Sequence, residues 1–252
     1  MTWLRARRAP SPPAVSGHRR QFLAVLGSVV ALLVVVNVLG HVGPARGSLA
    51  LGPTVAVTLL VAARRSGLSW HDLGLGRRSW GRGLLVAAGS AVLVAAVYAV
   101  GVAWPLTRAA FLDARYQLPL GRALFTVLVV IPLSTVLVEE VAFRGVLQGL
   151  LTRRRSARWG LGVSSALFGA WHILPSLDLG HVNAAVGRVF GTGTGGQVAV
   201  VSAVVVFTAA AGLLLGEVRR RSGSLVASAG LHWAVNGMGV LVTALLFSTV
   251  RA

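Results

Sequence analysis

Seven residues in the second half of the chain have types and spacings that could do chemistry: Glu139, Glu140 and Arg144, then Phe168 and His172, then His232 and Asn236. All lie within long apolar runs. The chain has six acidic residues in 252, and two of them stand side by side here. On insertion scales a carboxylate at a bilayer centre costs roughly 2.5–3.5 kcal/mol, so an adjacent pair needs a compensating reason. Glu140 and Arg144 are i and i+4, which lets them pair on one helix face. Glu139 is rotated about 100° away and has no cation on its own helix. A buried carboxylate in that setting suits general-base duty. His232 and Asn236 are one helical turn apart and share a face. The chemistry to which this set points is peptide-bond hydrolysis inside a membrane.

The elements that must position these residues are helices. The chain is 55% hydrophobic and 12% charged, with a mean hydropathy of +0.77, the composition of a polytopic membrane protein. It contains no Cys, which excludes disulfides, thiolate metal sites and a catalytic thiol. All 24 basic residues are Arg, giving a net charge of +18. They lie between apolar runs rather than in one soluble domain, so the expected partner is the anionic surface of a lipid bilayer and not nucleic acid.

Seven apolar runs have lengths near that of a spanning helix: Gln21–Leu39, Ser48–Ala63, Gly83–Ala103, Ala123–Leu150, Trp159–Leu174, Gln197–Val218 and Leu225–Phe247. The second is short, and the first reads as an uncleaved anchor rather than a signal peptide. The expected fold is therefore an all-α transmembrane helix bundle of about seven spans. Residues 1–20 form a basic, disordered cytoplasmic tail, and residues 21–250 a single transmembrane domain with the motifs in 123–247. Arginines concentrate in the tail, at Arg64–Arg82, at Arg153–Arg158 and at Arg219–Arg221, and thin out in the intervening connections. That alternation predicts a cytoplasmic N-terminus and an outer C-terminus. Gly191–Gly196 formally matches G-x-G-x-x-G, but no strand pattern precedes it and it reads as a flexible loop. The connection Trp104–Gly121 mixes aromatic, aliphatic and charged residues and is expected to hold a short interfacial helix.

The basic flanks measure depth. Along a helix, Glu139 lies ~21 Å from Arg153, His172 ~21 Å from Arg158, Asn236 ~22 Å and His232 ~16 Å from Arg221. Polar residues from three helices thus fall near one level, which predicts a shared polar cavity.

Glu-Glu-x-x-x-Arg at 139–144, Phe-x-x-x-His at 168–172 and His-x-x-x-Asn at 232–236, in this order on separate spans, resemble the CPBP family. These are the CAAX-processing and bacteriocin-processing (Abi) intramembrane endopeptidases. The run Leu68–Leu75 looks like a loop that many members carry upstream of the motifs. Arg221–Leu225 is similar to their turn before the last motif. The resemblance implies that Glu139 and His172 hold and activate a water. It implies that His232 and Asn236 stabilise the oxyanion, that Glu140 and Arg144 support the site, and that Phe168 packs beside His172. The substrate would be a membrane-associated peptide or protein, and the location the cell membrane. A glutamic, metal-free site is preferred; if zinc were bound, Glu139, His172 and His232 would hold it, as in a metalloprotease. Two other classes compete. A non-catalytic scaffold or bacteriocin-immunity protein would tolerate loss of Glu139. A proton-coupled carrier would use the same Glu and His as a relay, but the inverted repeats of such carriers are not apparent in this sequence.

Overall fold

The computed structural model describes residues 15–42 and 49–251. Residues 1–14 of the expected tail, and Arg46 of the first outer connection, lie outside the described residues. The architecture is all-helical. Its main elements are α1 (Val15–Val42), α2 (Leu51–Arg65), α3 (Trp80–Ala103), α4 (Leu120–Arg154), α5 (Ala157–Trp171), α6 (Thr194–Ser222) and α7 (Leu225–Arg251). Helix α1 already begins at Val15, within the segment expected as tail.

Among the described residues, five helices are long and apolar enough to cross a membrane: those containing Phe22–His41, Arg77–Ala103, Leu120–Arg154, Thr194–Ser222 and Leu225–Ser248. The other two of the seven expected spans are α2 and α5, each of 15 residues. At ~22 Å they fall short of a hydrocarbon core of about 30 Å. Both have physical stops. Helix α2 ends in a Schellman turn: Gly67 has φ +87°, the Leu68 N–H reaches back to the Ala63 carbonyl, and Leu68 is buried. Helix α5 ends at Trp171 because His172 leaves the helical region, and Pro175, four residues beyond Trp171, has no N–H to donate to it.

Helix α4 is the centre of the bundle. Its residues 138–151 are buried on every face, so Glu139, Glu140 and Arg144 meet protein and not lipid. Two stretches of α4, Thr126–Val136 and Glu140–Leu147, are wound as π-helix. Pro132 within the first cannot donate a backbone bond, and Leu137 bonds back five residues to its carbonyl. Wide turns of this kind re-aim side chains and recur at functional sites. By contrast α3 and α6 turn bare apolar faces outward, as Leu85, Val92, Val206 and Phe207 show, which fits a surface solvated by lipid.

Small residues bring helices together where no water is available to drive association. A Cβ on Gly230 of α7 would strike Ala87 of α3, and one on Gly169 of α5 would lie 2.7 Å from the Val205 carbonyl of α6. At the basic end, the loop 66–79 is clamped by arginines: Arg64 donates to the Leu68 carbonyl, Arg153 to Gly67 and Arg219 to Asp72. The Leu225 N–H also donates to Gly74. This is the Leu68–Leu75 segment singled out in the sequence, and it docks against the start of α7. Arg221–Leu225 is a tight turn in which Gly223 has φ +70°.

At the other end the connection 104–119 holds a short helical stretch, Pro105–Arg108 running on into Ala109–Phe111, and a further turn at Ala114–Tyr116. It is tied to the α5–α6 connection by a bridge between Asp113 and Asn183 and by an Asn183 amide bond to the Ala110 carbonyl. Thr243 of α7 donates to the Phe111 carbonyl. The glycines of 191–196 join the short helix Ala184–Phe190 to the start of α6; no strand precedes them.

Candidate active site

The three motifs converge around α4. Glu140 is 1% exposed and Arg144 2%. Arg144 Nη1 lies 3.0 Å from Glu140 Oε1, an i, i+4 ion pair. The Arg144 guanidinium also covers the ring of Phe168 at 3.8 Å, a cation–π contact in a dry setting. His232 Nδ1 is 2.9 Å from the same Glu140 oxygen. A carboxylate can only accept, so this nitrogen donates. Glu140 therefore binds a cation from its own helix and a ring from α7, and serves as the knot joining the two.

Glu139 is 6% exposed and has different neighbours. Its Oε1 accepts a bond from the Trp171 indole N–H at 3.0 Å. Its Oε2 accepts none among the described residues, and His232 Nε2 stands 3.6 Å from it. Adjacent carboxylates on one helix thus have different partners: Glu140 Oε1 meets Arg144 and His232, Glu139 Oε1 meets Trp171, and each keeps an Oε2 that accepts no hydrogen bond among the described residues.

His172 is held by its own backbone. Its Nδ1 lies 2.8 Å from the Phe168 carbonyl; a carbonyl only accepts, so Nδ1 donates, which leaves Nε2 as the ring nitrogen available to a further partner. The Phe168 ring packs edge-on against His172 at 4.6 Å and sits 6.0 Å from His232. Phe168 is buried against Phe143, which in turn packs on Trp171, so these rings fix the orientation of both histidines.

A cavity of about 590 Å³ opens beside these groups. Glu139 of α4, His172 at the end of α5 and Asn236 of α7 all line it, as do Asp113, Arg115 and Tyr116 of the connection after α3 and Asn183 of the connection before α6. Asn236 has no hydrogen-bond partner among the described residues. His232 shares the face of α7 with Asn236 but is not a lining residue; it is drawn back between the two glutamates. At the rim, Arg115 makes a bidentate bond to Asp113, which holds the guanidinium more firmly protonated than usual.

Two contributors escaped the sequence reading. Trp171 was hidden beside His172 as one more apolar residue, although an indole N–H in a membrane helix demands an acceptor. Asn37 of α1 donates to the Trp171 carbonyl at 2.8 Å; a lone Asn inside the first apolar run was the available signal.

The zinc set considered from the sequence is Glu139, His172 and His232. Glu139 Oε2 and His232 Nε2 are near enough to share an ion, but among the described residues no three His, Asp or Glu side chains come together as ligands, and His232 Nδ1 is already used by Glu140.

A bundle with helices of membrane-spanning length, and with buried acids and a histidine beside a polar cavity, has the architecture of a multi-pass membrane protein. Residues 121–238, which carry all three motifs, match the family model of Rce1-like type II CAAX prenyl endopeptidases. The CAAX-processing resemblance of the motifs and the family match are thus the same finding by two routes. No curated protein and no solved structure matches the chain. The family supports an enzyme of the protease kind, CAAX-protease-like and embedded in a membrane.

Proposed function

We propose that this protein is an endopeptidase of the cell membrane that hydrolyses a peptide bond of a membrane-associated peptide or protein, with Glu139 as general base. The observation that carries this reading is the inequality of the two carboxylates. Glu140 lies away from the cavity with Oε1 engaged by Arg144 and His232, whereas Glu139 lines the cavity with Oε1 held by Trp171 and Oε2 without a donor. Water sits between Glu139 and His172 Nε2. Glu139 takes one of its protons as the oxygen attacks the scissile carbonyl carbon. The oxyanion that forms accepts a bond from the Asn236 amide, a neutral preorganised donor. The tetrahedral intermediate collapses as the C–N bond breaks and Glu139 returns the proton to the departing amine. His232, tied to Glu140, joins α7 to α4 behind Glu139.

The reading is metal-free: Glu139 and His172 activate the water without an ion. The substrate class that the family offers is a prenylated C-terminus; precursor peptides of other kinds are equally suited to a cavity of this size. The test is reconstitution of the purified protein in proteoliposomes with a panel of prenylated and unprenylated reporter peptides, with products read by mass spectrometry. Cleavage should fall by about 10²–10⁴ in Glu139→Gln, fall sharply in His172→Ala and be unaffected by a chelator. Activity lost to the chelator and restored by one equivalent of zinc would sink the metal-free route; cleavage at the wild-type rate in Glu139→Gln would sink the whole assignment.

A further inference from the structure

Far from the candidate active site, at the basic end of the bundle, two cavities adjoin. The first, about 250 Å³, has Phe22 and Val25 of α1, Leu68 and Leu150 as its apolar wall, and Arg153 and Arg154 at its edge. The second, about 540 Å³, is the groove between α1 and α2. Val25 and Ser66 belong to both, so the two are continuous. The groove floor is apolar (Val29, Leu32, Leu59), and Arg65 stands at its basic end. It extends from Ala24 to Leu32 along α1, ~12 Å at the helical rise, and its outer walls at Ala24, Ser28 and Val61 are exposed, so it opens sideways to the bilayer.

The charges here are not spent internally. Among the described residues no carboxylate pairs with Arg65 or Arg154; the Arg154 guanidinium merely lies 5.8 Å from the Phe22 ring. Asp72, which lies in the neighbouring loop, is turned inward onto the Ser69 N–H and hydroxyl. Arg153 donates to the Gly67 carbonyl and forms the back of the cleft. Unpaired guanidinium groups at the head of an apolar groove facing lipid are complementary to one shape of molecule: a phosphate joined to an acyl chain.

We propose that this composite site binds one anionic phospholipid, with its phosphate between Arg65 and Arg154 and one acyl chain along the α1–α2 groove. Bound there, the lipid pins α1 to α2 and to the end of α4. This is independent of what the active site cleaves.

The experiment uses full-length protein in mild detergent, titrated with phosphatidylglycerol or phosphatidylcholine and read by native mass spectrometry. Wild type should hold one phosphatidylglycerol in preference to phosphatidylcholine. Near a membrane surface each arginine contributes about five-fold in affinity, so the double variant Arg65→Gln/Arg154→Gln should lose roughly thirty-fold. Arg65→Lys/Arg154→Lys, which keeps the charge, should stay within a few-fold of wild type; an equal loss there would mark a folding defect and overturn the assignment. Ser28→Trp, which fills the groove, should weaken phosphatidylglycerol but not inorganic phosphate. Equal retention of both lipids, or phosphatidylglycerol binding that ignores Ser28→Trp and is fully displaced by inorganic phosphate, would refute the lipid site and leave only a surface anion site.

Discussion

Glutamates 139 and 140 differ by one position, yet their isosteric amides should fail in opposite ways. Glu140→Gln removes the negative charge that Arg144 Nη1 meets at 3.0 Å and that His232 Nδ1 meets at 2.9 Å. Arg144 is 2% exposed and cannot turn to water. Breaking a buried pair by removing one partner costs about 3–5 kcal/mol, because the remaining charge stays buried. At about 2–4 °C per kcal/mol for a chain of this size, that is a fall in melting temperature on the order of 6–20 °C. Glu139→Gln leaves an amide oxygen to accept the Trp171 bond and disturbs no close ion pair, so its melting temperature should stay within a few degrees of wild type. Its activity should instead drop by about 10²–10⁴, the usual contribution of a general base. The assays are thermal unfolding in detergent, followed by fluorescence, and peptide cleavage in proteoliposomes. A second step separates charge from shape. Glu140→Gln/Arg144→Met removes both members, and should be more stable than Glu140→Gln alone, since no orphaned cation remains. Equal destabilisation by the two single amides, or no recovery in the double variant, would refute the division of labour argued for the pair.

Trp171→Phe keeps the ring that packs on Phe143 but deletes the donor to Glu139. A bond to a charged group is worth about 1.5–3 kcal/mol, so kcat should fall roughly ten- to 150-fold with KM unchanged; a change in KM alone would remove Trp171 from the positioning of Glu139. Asn236→Ala should lower kcat by about 10²–10³ without altering the melting temperature, the range seen for loss of one oxyanion donor, and activity near wild type would exclude it from that role. Asp72 is held below the ordinary aspartate range by the Ser69 backbone N–H, then by the Ser69 hydroxyl and the nearby Arg153. A depressed value in the folded state means that Asp72 stabilises its loop at neutral pH and ceases to do so as the pH falls below about 4. Proteolysis of loop 66–79 should therefore be faster in Asp72→Asn than in wild type at pH 7, with the two converging under acid pretreatment; a difference that persists in acid would mean the charge is not what holds the loop.

What the sequence determined by itself follows from short-range rules. Apolar length fixed the helical class, and i, i+4 spacing paired Glu140 with Arg144, because both depend only on neighbours along one helix. Arg221–Leu225 was legible as a turn for the same reason: Gly223 needs a positive φ that other residues avoid. The span count was less legible. The apolar runs around α2 and α5 look like spans, but where each helix stops depends on Gly67 and His172 and on the loops they lead into. Only the tertiary structure decided which polar groups touch. It placed His232 between the two glutamates and Asn236 on the cavity wall, although both sit on one face of α7, because depth against α4 differs along that face. It recruited Trp171 and Asn37 from helices whose patterns read as plain membrane anchor. A hydrogen bond between helices depends on crossing angle and close approach, set here by small residues such as Gly169 and Gly230, and no local pattern in either partner records that geometry.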